Sequence, residues 1–277
     1  MSIKITTLVE NTVPANYAQL RGEHGLSFLI ETDHNKILFD TGQGLTILGN
    51  ADALKIKLGD IDTVVLSHGH FDHTGGLKHL MERNTDFTLI AHPDVFGNKF
   101  LKSEGKFLPI GMPIQKKVFE KKGIKLKLEE DSVEIAPGIM TTGKIEMKTD
   151  FEDVEAMFFR KDDGYEVPDT IPDDISLILK TPEGRVVIFG CAHRGAANIL
   201  SQVIRMTGDK KIYAVMGGLH LMRSNEGKRK KLFEYLKRFN IEKLIVGHCT
   251  GFHATAALLN TFGSRVTPNT VGHVIEF

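Results

Sequence analysis

The sequence predicts an α/β protein in which strands and helices alternate and stack in layers, and three observations carry that prediction. Apolar runs of strand length recur in both halves of the chain, stretches with helical spacing follow several of them, and Gly, Pro, Asn and Asp punctuate the gaps. With 41% hydrophobic and 25% charged residues, the 277-residue chain has material for a buried core and is too apolar to stay disordered. The order strand, helix, strand, helix, strand in the first half layers into mixed sheets covered by helices. Residues 1–277 read as a single domain, because no repeat, low-complexity segment or clear boundary divides them.

Taken in order, "IKITTLVE" (3–10) alternates as a strand. "LSFLIETDHNKILFDTG" (26–42) reads as two strands joined at "TDHNK", where Asp33 and Asn35 favour a turn. "LTILGNADALKI" (45–56) has helical spacing, with Leu45, Leu48 and Leu54 expected on one side. "IDTVVLSH" (61–68) is a short buried strand, "GGLKHLMERN" (75–84) a helix and "FTLIAHP" (87–93) the next strand. Segment 96–113 has no regular period and carries Phe96, Phe100 and Phe107, so a lid-like surface excursion over the site is expected there. "KLKLEEDSVEIAPGIMTTGKIE" (125–146) returns to strand-like alternation, while polar, proline-bearing residues 160–174 are expected to form a loop. "ISLILKTPEGRVVIFG" (175–190) reads as a hairpin around "TPEG", and "AANILSQVIRMTG" (196–208) as an amphipathic helix closed by Gly208. Strands at 211–218 and 243–248, helices at 228–240 and 254–263, and a closing strand at 271–277 complete the chain.

Formal net charge is zero, from 35 basic and 35 acidic residues, which speaks against nucleic acid as a partner. The basic run "GKRKKLFEYLKRF" fits a solvated helix face. Two cysteines, Cys191 and Cys249, imply no disulfide framework and suit a reducing compartment. "MSIKITTLVENTV" lacks the features of a signal peptide, and no apolar run is long enough to span a membrane. The expectation is a cytoplasmic protein with a small-molecule substrate and no membrane partner.

The densest chemistry lies in "SHGHFDHTGG" (67–76). In an extended segment His68 and His70 project to one side, because the side-chain period is two. Asp72 and His73 follow where the chain turns into the next helix. Three imidazoles and a carboxylate thus converge on one small volume, a set suited to one or two divalent metals, zinc first, with manganese or iron as alternatives. Such a metal lowers the pKa of a water and supplies hydroxide near neutral pH.

His68-x-His70-x-Asp72-His73 after a strand resembles the signature of the metallo-β-lactamase superfamily. The resemblance covers essentially the whole chain and implies an αββα sandwich, two mixed β-sheets flanked by helices, with metals at the rim between the sheets. It implies that His68, His70, Asp72 and His73 ligate metal, that Asp40 in "ILFDTG" orients a ligand from beneath, and that His248 in "LIVGHCTG" is the last ligand. Two positions depart from the commonest pattern. No histidine precedes the strand pair 175–190, where Asp169, Asp173 and Asp174 stand instead. Cys191 stands at the end of the second strand in place of a bridging aspartate, and thiolate is a good zinc ligand. His193 is expected to replace the missing histidine.

"GEHGLSFLIE", "GCAHRG", "GGLHL" and "GHCTG" are together similar to one branch of that superfamily, which includes a dihydropteroate-synthase-like member of methanopterin biosynthesis. That member joins a dihydropterin diphosphate to a ribofuranosylaminobenzene phosphate. His24 and His220 belong to the branch pattern, His24 as a substrate contact and His220 as a catalytic group beside Asp72. Arg194, with Gly195 at a predicted helix start, is expected to seat an anionic part of the substrate, and Thr250 with Gly251 repeats the arrangement. His34, His79, His92, His253 and His273 read as surface or structural, with His92 and His253 nearest the site. The expected function is a metal-dependent hydrolase that uses metal-bound hydroxide on a small substrate, phosphorylated substrates among the candidates. A pterin-transferring synthase and a non-catalytic metal- or ligand-binding protein are the alternatives.

Overall fold

Apolar alternation along the central strands sorts side chains into separate cores. From the strand Gly184–Ile188 onward, Val186 and Ile188 enter one core while Val187 and Phe189 enter another. The structure, a computed structural model, describes residues 2–277. One seven-stranded sheet runs, edge to edge, Val274–Glu276, Ile3–Val9, Ser27–Thr32, Lys36–Phe39, Thr63–Val65, Thr88–Ala91, Lys125–Leu128. Its first four strands pair antiparallel and the rest parallel. The second seven-stranded sheet runs Val266–Pro268, Lys243–Val246, Ile212–Gly217, Gly184–Ile188, Leu177–Thr181, Ile139–Thr141, Glu134–Ala136, parallel over its first four strands and antiparallel after.

The two sheets face each other across a core that includes Phe28, Ile30, Phe39 and Val65 from one and Leu177, Val186, Ile188 and Met216 from the other. The outer face of the first sheet is covered by helices Ile47–Ala53, Leu77–Arg83 and Lys116–Lys121. Helices Ala196–Thr207, Glu226–Leu236 and Phe252–Phe262 cover the outer face of the second. The order helix, sheet, sheet, helix is the αββα sandwich. Gly208 closes the helix Ala196–Thr207 in the left-handed conformation. In the helix Ile47–Ala53 the buried face is Ile47, Asn50 and Ala51 rather than the leucines, and Leu45 is exposed ahead of the helix.

The two segments expected to be irregular instead pair with each other. Lys99–Ser103 and Lys106–Pro109 form one hairpin, Phe158–Asp162 and Tyr165–Pro168 another, and together they make a four-stranded antiparallel sheet. Both turns are two-residue turns with positive φ at each position, Glu104-Gly105 and Asp163-Gly164. Such turns match the twist of the flanking strands, and Asp163-Gly164 was the readable signal for the second of them.

This sheet also relocates the aromatic residues. Phe158 lies opposite Leu101, and Phe159 opposite Phe100, so the two pairs face opposite ways. Phe107 meets Phe100 and Phe159 edge-to-face with Lys102 above, and Phe96 packs edge-on against Phe119 in the core. The residues turned to the site are therefore Leu101 and Phe158, with Ile110 just beyond the hairpin.

Candidate metal centre

The chemistry-bearing residues stand where strands of both sheets end. Asp40 follows Lys36–Phe39, His68 follows Thr63–Val65, Cys191 follows Gly184–Ile188, His220 follows Ile212–Gly217, and His248 follows Lys243–Val246. Asp40, Ala192, His220 and His248 all have φ between 46° and 60°. Left-handed backbone in non-glycine residues costs of order 1 kcal/mol each, and here it gathers around one point. Gly190 permits the closest approach between the sheets, because a Cβ there would collide with the Ser67 hydroxyl beside Asp40.

Asp40 is wholly buried and anchors the cluster from below. Its carboxylate accepts from Ser67 N at 2.7 Å and from Ser67 Oγ at 2.6 Å, and Oδ2 lies 2.6 Å from His73 Nδ1. That bond leaves His73 Nε2 facing the cleft, 3.0 Å from Cys191 Sγ and 3.2 Å from His248 Nε2. Asp72 Oδ2 lies 3.3 Å from His248 Nε2 and 3.1 Å from His24 Nε2. On the other side of His73, His68 Nε2 lies 3.0 Å from His70 Nδ1, and the His193 ring packs at 4.8 Å from both. Asn11 Oδ1 sits 2.9 Å from His248 Nδ1, and Glu10 accepts from His248 N at 2.7 Å.

Electrostatics follow from this burial. His68, His70 and His193 are held well below the ordinary imidazole value, chiefly by burial, and His248 is pushed down to about 4 for the same reason. These rings are neutral lone-pair donors at neutral pH. Burial also presses on His73, but Asp40 and Asp72 outweigh it and hold the ring above the ordinary value. Asp72 stays well below the carboxylate range, because His73, His24 and His248 overcome the burial that would raise it. Burial pushes the Cys191 thiol up, and a coordinated metal would deprotonate it.

The donor set fits a divalent ion. His70 Nε2 and both ring nitrogens of His193 are buried with no hydrogen-bond partner, a costly state for polar atoms unless another group takes them up. Ligand atoms of His68, His70 and His193 lie within 4.8 Å of one another, as do those of His68, His73 and Cys191, and those of His24, Asp72 and His248. The first set is all imidazole and the others add thiolate and carboxylate, combinations suited to zinc and its neighbours.

A cleft of about 280 Å³ opens over the cluster. Its floor includes His70, Asp72, Cys191, His193 and His248, and apolar walls come from Phe71, Leu101, Ile110, Met157, Phe158 and Met222. His24 and His220 reach it from opposite loops, and Arg223 lies at the rim. His220 is held by Glu155, with Nδ1 3.5 Å from Oε1, and its ring lies 4.1 Å from that of His193. Leu101→Ala is expected to raise KM for the true substrate about fivefold, roughly 1 kcal/mol of lost apolar contact, with bound metal unchanged. Phe100→Ala and Phe107→Ala, on the opposite face, should leave KM within twofold, which steady-state kinetics on the three variants checks.

The structure gathers His24, His68, His70, Asp72, His73, Cys191, His193, His220 and His248 around this cleft, with Asp40 beneath. It does not bring Arg194 there. The guanidinium turns outward to the carbonyls of Ile145 and Thr170. The helix start beside it is already filled, because Glu152 accepts from Ala197 N and Asn198 N at 2.9 Å each. Thr250 likewise spends its hydroxyl on Leu219 N. His92 is buried and caps a short 3-10 turn, and His253 is exposed on the helix Phe252–Phe262, so neither lines the cleft.

Several participants carried no sequence signal. Glu155 lies in a stretch without motif, and Asn11 reaches His248 across 237 positions. Cys249 was readable only as the neighbour of His248, yet its thiol lines the cleft and clusters with Cys191 and His248.

Comparison with known proteins places these features. The family model of the metallo-beta-lactamase superfamily matches residues 20–248. A 7,8-dihydropterin-6-methyl-4-(beta-D-ribofuranosyl)-aminobenzene-5'-phosphate synthase of Methanocaldococcus jannaschii is 36% identical over 287 aligned residues, covering 100% of this chain and 97% of that protein. The crystal structure of a metal-dependent hydrolase of the beta-lactamase superfamily superposes with a TM-score of 0.85 at 26% identity, covering 99% of each chain. Zn(2+)-bound PqqB from Methylobacterium extorquens shares the fold, with a TM-score of 0.59 at 14% identity over 99% of each chain.

Proposed function

The chain belongs to the metallo-β-lactamase superfamily, and from that premise we propose that it is a metal-dependent hydrolase of small substrates, phosphate-bearing ones among them. The observation that carries the reading is the series of overlapping His, Asp and Cys donor groups on the floor of one cleft with apolar walls. His68, His70 and His193 would hold one divalent ion, zinc by preference, and Asp72, His73, Cys191 and His248 a second. Bound there, the metal supplies Lewis acidity and lowers the pKa of water to near neutrality.

The chain's own groups supply the rest. Asp40 fixes the His73 ring through Nδ1, so that only Nε2 is offered to the cleft. Asp72 presents a carboxylate oxygen beside His24 Nε2 and orients the attacking water. His220, braced by Glu155, faces the substrate from the wall opposite His24 and donates a hydrogen bond to it. The apolar wall takes a flat or apolar portion and excludes water, while Arg223 at the rim meets negative charge.

A second reading, synthesis by transfer of a pterin group, is favoured by the 36% identity to the methanogen synthase over the full chain. The same residues would then hold the metal that polarises the leaving diphosphate, and the apolar wall would take the pterin ring. One experiment separates the readings: metal-loaded protein is given phosphodiester, lactone and thioester substrates, and separately a dihydropterin-methyl diphosphate with and without the arylamine. Hydrolysis of a panel substrate without a second substrate is the expected result. A silent panel with arylamine-dependent release of diphosphate would replace hydrolysis by synthesis, and bound metal with no turnover on either would leave a binding protein.

A further inference from the structure

The stretch between the strands Tyr165–Pro168 and Leu177–Thr181 carries three buried aspartates, Asp169, Asp173 and Asp174, and none lines the cleft. Asp173 Oδ2 accepts from Gly69 N at 2.7 Å, the residue between His68 and His70. Asp174 Oδ2 accepts from Arg194 N at 2.7 Å, the residue after His193. Ile175 N donates to Ser67 O at 2.9 Å, just ahead of His68. One short stretch therefore grips both loops that supply His68, His70 and His193. Gly69 is pressed from its other side as well, since a Cβ there would strike the Val95 carbonyl.

Buried carboxylates need a counter-charge, and Lys99 supplies it to two of the three, Asp173 and Asp169. Its Nζ lies 2.7 Å from Asp173 and 3.0 Å from Asp169, and the three side chains are 2% exposed or less. Lys99 begins the strand whose Leu101 forms part of the cleft wall. The ion cluster thus joins the substrate wall to the loop bearing His68 and His70.

We propose that Asp173 and Asp174 are positioning residues that set the spacing of the His68–His70–His193 metal position, and that Lys99 couples this position to the cleft wall. The proposal rests on the metal reading above. A group that holds a ligand's backbone acts on one metal position, whereas a group that merely stabilises the fold acts on both.

The test is a Co²⁺ titration of metal-free protein, with total bound cobalt measured beside the near-ultraviolet sulfur-to-cobalt band. The parent should bind two ions, one of them giving a band that Cys191→Ser abolishes. Asp174→Ala and Asp173→Ala should weaken the sulfur-free ion by about 10–100-fold, as loss of outer-shell support commonly does, and leave titration of the band unchanged. Asp173→Ala keeps Lys99 paired with Asp169, so no buried charge is stranded. Asp174→Asn keeps the acceptor for Arg194 N and places its amide NH2 where Asp174 Oδ1 has no partner, so it should bind both ions as the parent does. Equal weakening of both ions, an unweakened sulfur-free ion in the alanine variants, or a parent whose only cobalt carries the band would overturn the proposal. A parent that binds no cobalt would instead overturn the metal reading beneath it.

Discussion

Replacing His68 and His70 together by alanine is expected to empty one metal position and abolish turnover while the fold survives. The two rings supply two of the three imidazoles converging with His193. They also leave little behind when removed, since neither ring is anchored by a buried carboxylate: His68 Nδ1 meets the Ser67 hydroxyl, and His70 Nε2 meets nothing. Metal catalysis of this kind contributes several kcal/mol of transition-state stabilisation. At about 1.4 kcal/mol per factor of ten, kcat should fall roughly a thousandfold or more. Elemental analysis should give about one metal ion fewer per chain than in the parent. Unchanged stoichiometry would remove these histidines from the ligand set.

Asp40→Ala is expected to do the opposite, costing stability as well as function. Asp40 is wholly buried and receives three hydrogen bonds, from Ser67 N, Ser67 Oγ and the His73 ring. His73 is held above its ordinary pKa largely by Asp40 working against burial. Without the carboxylate, a buried ring and a buried backbone N–H lose their partner together, and breaking a buried pair of this kind costs about 3–5 kcal/mol. The melting temperature should drop by on the order of 10 °C. Asp40→Asn preserves the volume and one acceptor, so it should recover most of the melting temperature but not the metal affinity at His73. Thermal unfolding of metal-free protein beside metal binding separates the two losses.

How legible the site was depends on where its residues sit along the chain. His68, His70, Asp72 and His73 fall within six positions after a buried strand, so spacing alone exposed them. Asp40, Cys191 and His248 each end a strand in an apolar run, and the resemblance supplied the roles expected of them. Strand-and-helix alternation showed mixed α/β layering, and the resemblance supplied the αββα order; the sorting of Val187 and of Val186 and Ile188 into separate cores emerged only with the structure. The third sheet was hidden because its strands are short and its two local hairpins join only across more than fifty positions, Phe158 with Leu101 for example. Local periodicity carries no record of such a partner. Arg194 misled for a related reason. A helix start attracts an anion, but nothing local reveals that Glu152, over forty positions earlier, already fills it. The same applies to Glu155 behind His220 and to the hold of Asp173 on Gly69 across 104 positions.

The most direct measurement is anomalous diffraction at the zinc edge from crystals of zinc-loaded protein. Two peaks are predicted on the floor of the cleft, one among His68, His70 and His193, the other among Asp72, His73, Cys191 and His248. Anomalous density away from these residues, or none in crystals of protein that binds zinc in solution, would contradict the account.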